Sequence, residues 1–189
     1  KTDGKYIYMV EDGQISITDI TDGKPKEEQI LRPDFEAPSD SIEELYVNDG
    51  NMVIITNHLN DEENDETICY SYDITDPSKP QFIGKSSQDG YYSTSRKIGN
   101  IVYVFSNTSI QMPELMVKKA ALNPNNLDKW VPKVDGEIIN YDCIYIEDET
   151  NSGTVISSFN VDDPSTVIDT KCIMNGNDHV YVSNNAMYF

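Results

Sequence analysis

Between Ile42 and Lys85 the chain runs through IEELYV, NMVIITN, TICYSYDI and PQFIGK, with NDG, an acidic loop and TDPSK as the breaks. Four short runs rich in Tyr, Val, Ile and Thr, each bounded by Asn, Asp, Gly or Pro, read as four consecutive antiparallel strands. Asn48-Asp49-Gly50 supplies the positive φ angles of a tight hairpin, and Asp76-Pro77 fixes a slightly longer turn. No helix fits this stretch.

The unit recurs. Residues 16–25 repeat residues 70–80, placing Asp19 beneath Asp73 and Asp22 beneath Asp76, and Ile156–Thr166 is a third copy with Pro164 beneath Pro77. The strand before each match recurs as DGKYIYMV, DGNMVIITN and GNIVYVFSN, and HVYVSNNAMYF repeats LYVNDGNMVI at the end. With the strands of a unit lettered A to D, the first has B at 5–10, C at 14–20 and D at 26–31. The third has A at 92–98, B at 101–107, C at 154–161 and D at 167–174. A fourth has A at 179–183 and the start of B at 186–189.

Repetition of four-stranded sheets at about 40 to 50 residues is the signature of a β-propeller. The expected fold is therefore all-β, a propeller fragment of four-stranded antiparallel blades in one domain. Blade 1 spans 1–31, blade 2 spans 42–85, and blade 3 spans 92–174 around a partly helical insertion at 108–153. Residues 179–189 begin blade 4.

DGKYIYMV, YSYDITDPSKPQFIGKSSQDGYYSTSRKIGNIVYVFSN, INYDCIYI and GTVISSFNVDDPSTVIDTKCI together resemble the bacterial secreted proteins that carry a C-terminal β-propeller domain. DGYY-S-SR and TVISSF-DDPS carry most of the likeness. The resemblance implies a propeller fold and a secreted or cell-surface location, with any signal or anchor upstream of the chain. It implies no catalytic residue.

Charge narrows the partners. With 33 acidic against 14 basic residues the formal net charge is −19, which repels phosphate backbones and anionic headgroups, so neither nucleic acid nor membrane insertion is expected. Cys69, Cys143 and Cys172 fall in separate predicted strands without CxxC spacing and are expected to stay reduced. No cofactor is expected. Calcium is the ion the acidity suggests, but HLNDEENDE (58–66) lacks the glycine of a calcium loop, and after DETNSG (148–153) the position that should ligate is Phe159.

The connections divide by length. A–B and C–D turns are short, whereas 32–41, 58–66, 86–91 and the insertion 108–153 are longer and should leave from one face. Variable loops on rigid sheets concentrate binding residues, so this face is the functional candidate, recognising a protein or a carbohydrate. Tyr91, Tyr92, Ser95 and Arg96 lead into the inner strand of blade 3, and Trp130 sits in the insertion after a short helical stretch at 113–122. These five are the ligand-binding candidates. Beside that reading stands a structural one, in which Arg96 clamps neighbouring blades and Trp130 staples the insertion to the rim. The sequence has no GxSxG, HExxH or glycine-rich phosphate loop. An enzyme, such as a hydrolase with its site at the channel mouth, is the alternative to a binding module. Self-association through open blade edges is the remaining expectation.

Overall fold

The computed structural model describes residues 1–59, 64–109, 131–146, 151–174, 181–183 and 187–188. Blade 1 is a three-stranded sheet of β1 (Tyr6–Glu11), β2 (Gln14–Asp19) and β3 (Lys26–Leu31). Blade 2 contains β4 (Ser41–Asn48), β5 (Asn51–Leu59), β6 (Asp65–Asp73) and β7 (Gln81–Asp89), paired antiparallel in chain order. Blade 3 contains β8 (Tyr91–Ile98), β9 (Ile101–Ser109), β13 (Ser152–Asn160) and β14 (Asp163–Met174), also in that order. The fourth unit contributes a hairpin of β15 (Tyr181–Val182) and β16 (Met187–Tyr188), which pair with each other. The helical stretch 113–122 lies outside the described residues.

The repeat is written in its turns. Three hairpins close on Asp-Gly with both residues at positive φ: Asp12-Gly13, Asp49-Gly50 and Asp135-Gly136. That geometry matches the twist of the flanking strands. At the C–D corner, Asp19 Oδ1 accepts from the Thr21 amide at 2.7 Å, Asp73 Oδ1 from the Thr75 amide at 2.8 Å, and Asn160 Oδ1 from the Asp162 amide at 3.0 Å. The residue between donor and acceptor is Ile20, Ile74 or Val161, and its amide donates back to Lys5, Gly50 or Asn100. One side-chain turn, used three times, ties C to the start of B.

Alternation along the strands gives blade 2 two apolar faces. Tyr8, Ile15 and Ile17 of blade 1 pack on Leu45, Met52, Ile54, Ile68, Tyr70 and Tyr72 of blade 2. The opposite face of blade 2 presents Val53, Ile55 and Cys69 to Val102, Val104 and Phe159 of blade 3. Each fully buried Ile or Tyr here contributes roughly 1.5–3 kcal/mol of transfer free energy, so the stacking of faces carries the fold.

The insertion has two described parts. β10 (Lys133–Val134) and β11 (Glu137–Ile138) form a hairpin that extends blade 2 beyond β7, and β12 (Ile144–Ile146) pairs in parallel with β14 at the outer edge of blade 3. Blade 2 thereby becomes six-stranded and blade 3 five-stranded. Radial sheets diverge outward, and the wedge between these two is filled by Val131, Val134 and Ile139 against Val155, Cys172 and Met174. Within the insertion, β11 and β12 are short strands on different sheets, separated by a 3-10 turn at Tyr141–Cys143.

One expected loop is absent. The connection assigned to 86–91 is strand on both sides of Gly90, because β7 continues to Asp89. Gly90 has φ +101°, and a Cβ there would lie 2.7 Å from the carbonyl oxygen of Asn107, so only glycine permits so abrupt a passage between blades.

Candidate functional site

β8 brings some of the sequence candidates together and separates others. Tyr92 and Ser95 turn toward blade 2, where the Ser95 Oγ is hydrogen-bonded to the Tyr46 hydroxyl at 2.8 Å and to the Tyr92 hydroxyl at 2.9 Å. An irregularity between Tyr92 and Thr94 lets residues three apart share that side. Tyr91 is 51% exposed and does not join them. Arg96 is exposed and makes no salt bridge among the described residues, so the clamp between blades is made by hydroxyls rather than by the guanidinium. Trp130 lies outside the described residues.

Tyr46 is the residue that sequence reasoning missed. It stands on β4, the inner strand of blade 2, with Glu44 beside it. Lys1 reaches both: its Nζ is 2.9 Å from Glu44 Oε1 and 5.8 Å from the centre of the Tyr46 ring. Burial is the main cause that raises both phenols, Tyr92 to about 12, so both are neutral donors and acceptors at physiological pH. Among the described residues the inner wall therefore offers the Tyr46, Tyr92 and Ser95 hydroxyls, the Glu44 carboxylate and the Lys1 and Arg96 cations, a surface suited to hydrogen bonding with a polar ligand.

A second group gathers where the long connections leave. The connection after β3 delivers Asp40, its side chain fully buried, to His58 at the end of β5, with Oδ1 2.9 Å from Nδ1. Register places Glu66 opposite His58 and Asp89 opposite Glu66, so one row crosses the sheet end as Asp40, His58, Glu66 and Asp89. Burial pushes the Asp89 carboxyl up, and Glu66 adds to the shift, while the Lys133 amide donating at 2.8 Å opposes it. Nearby, Lys85 bridges to Glu36, whose backbone amide donates to the Tyr70 hydroxyl. Among the described residues no group of three or more His, Cys, Asp and Glu is arranged to hold a metal ion. Residues 60–63 and 147–150, which carry part of each calcium-loop reading, lie outside the described residues.

Behind this end of the sheet the contact between blades 2 and 3 turns polar. Gln88, 2% exposed, donates to Ser106 Oγ at 2.7 Å and to the Val155 carbonyl at 3.3 Å, and accepts from Ser157 Oγ. Ser106 Oγ in turn donates to the Asp89 carbonyl at 2.6 Å. Thr67 donates to the Gly90 carbonyl, and Asn57 accepts from the Tyr92 amide at 2.7 Å. These bonds hold the start of β8 against blade 2 and so set the position of Tyr92 and Ser95.

The family model for the beta propeller domain matches residues 1–189. Comparisons with curated proteins and with solved structures give no match.

Proposed function

The chain belongs to the beta propeller domain family, and from that premise we propose that it is the binding scaffold of a bacterial protein displayed outside the cell, recognising a protein or carbohydrate with the face that carries its long connections. One observation carries the reading. The described ends of those connections converge on the same end of the sheets: Asp40 meets His58, Leu59 lies opposite Asp65, and Ser109 lies opposite Ser152. The other end is closed by the short turns of the repeat. A rigid stack bearing variable segments on one side is how binding surfaces are commonly mounted.

Screening the purified chain on an array of bacterial and host surface glycans and proteins tests this. A ligand found there should lose affinity when residues 58–66 are replaced by Asn-Gly, and should be indifferent to Asp22→Ala or Lys79→Ala on the opposite face. A ligand whose binding follows the second pair and ignores the first refutes the reading.

A further inference from the structure

The outer rim carries a groove that the binding face does not include. β12 pairs with β14 only through Cys172, Ile173 and Met174. Among the described residues no strand covers the same edge of β14 from Ser165 to Thr170, because the chain ahead of β12 leaves the edge and packs Ile139 and Cys143 into the wedge. Across the gap stands β11, the outermost described strand of blade 2, whose far side is likewise unpaired among the described residues. The space between them has a volume of about 410 Å³. Val134 and Val167 form its floor, Ile138 and Ile168 stand at its sides with 39% and 56% exposure, and Glu137 and Asp169 lie along it.

Two strand edges facing one trough, in line with a strand already seated there, form the geometry of strand addition, in which backbone hydrogen bonds give affinity and side-chain contacts give selectivity. Charge fixes the occupant. Asp169 is neutralised by Lys171 at 2.7 Å, but Glu137 has no counterion among the described residues, and the chain as a whole is strongly acidic. A second copy would bring like charge to the rim, whereas a cationic partner is attracted to it. We propose that this groove receives an extended segment of a partner protein with alternating basic and apolar residues, which pairs with the open edge of β14 in register with β12. Its apolar side chains cover Ile138, Ile168 and the floor, and its cations lie against Glu137.

The probe is a labelled, end-capped hexapeptide of alternating Lys and Val, followed by fluorescence anisotropy at physiological ionic strength with the whole chain. Binding should weaken at least tenfold with Ile168→Asp and with Glu137→Lys, both at exposed positions, while Asp22→Lys on the far turn should change it less than twofold. The same peptide N-methylated at alternate backbone nitrogens should bind at least tenfold more weakly. Equal weakening by Asp22→Lys and Glu137→Lys would reduce the effect to bulk charge and overturn the proposal, as would full binding of the methylated peptide or no binding at all. Concentration-dependent dimerisation abolished by Ile168→Asp would assign the groove to a second copy and overturn it equally.

Discussion

Tyr46 and Ser95 stand on the inner strands of successive blades with their oxygens 2.8 Å apart, and the Tyr92 hydroxyl closes on the same serine at 2.9 Å. Ser95→Ala removes both links while leaving two half-buried phenols that water reaches, so a loss of about 1 kcal/mol is expected. Tyr46→Phe should cost less, and the double variant should cost less than the two singles added together, since they share one interaction. Urea denaturation of the four proteins measures this. Strict additivity would show that the staple does not form.

Gln88 is different in kind because water cannot replace it. Gln88→Leu leaves the Ser157 hydroxyl without its acceptor and the Ser106 hydroxyl without its donor inside the contact between blades. The loss should reach about 2–4 kcal/mol, the range for breaking a buried polar network. Denaturant midpoints decide. A loss below about 1 kcal/mol would mean that the seam is hydrated.

Two glycines with positive φ separate strain from clash. Gly23 has open space where a Cβ would go, and Gly90 has the Asn107 carbonyl 2.7 Å away. Gly23→Ala should cost about 1 kcal/mol from backbone conformation alone. Gly90→Ala must displace either β8 or β9 and should cost several times as much, visible as a drop in Tm and in soluble yield.

The corner aspartates set an acid limit. Hydrogen bonds from residues two or three positions on lower the carboxyls of Asp19, Asp73, Asp76 and Asp163 beneath their usual 3.8. A lowered carboxyl contributes stability that is fully present above its unfolded value and is lost as pH falls through the folded one. The stability difference between the protein and Asp73→Asn should therefore be constant above about pH 5 and shrink below about pH 4. A difference that grows on acidification would contradict the turn geometry.

The thiols should react in sequence. Burial raises Cys69 well above the ordinary thiol range and Cys172 to about 12, whereas Cys143 is half-buried. Native alkylation followed by mass spectrometry should label Cys143 first, and all three only after unfolding. Early labelling of Cys69 would place it outside the contact between blades.

What the residues disclose on their own follows from distance along the chain. The Asp-Gly hairpins and the Asp-x-Thr corner act within a few positions, so they mark strands, units and the repeat. Tyr46 with Ser95 and Asp40 with His58 meet only because blades stack and connections cross the rim, and no local pattern announces either pair. QDGYY misleads in another way: its composition is that of a loop, yet Gln88 is buried and the passage between blades is Gly90 alone. The insertion has no repeat to align against, which is why its addition to two different sheets is visible only in three dimensions.

The pairing of β9 with β13 implies an order of assembly. β13 and β14 meet through a tight corner and can find each other quickly, but β9 must close on β13 across everything from residue 110 to 151. Closing so long a loop costs chain entropy before any contact is gained. Blade 3 should thus complete itself last, with β8–β9 already docked on blade 2 and the β13–β14 hairpin arriving afterwards. Val131, Val134 and Ile139 gain their buried partners Val155, Cys172 and Met174 only at that step, so the wedge acts as a latch that closes late and slows the escape of the last hairpin once it has closed.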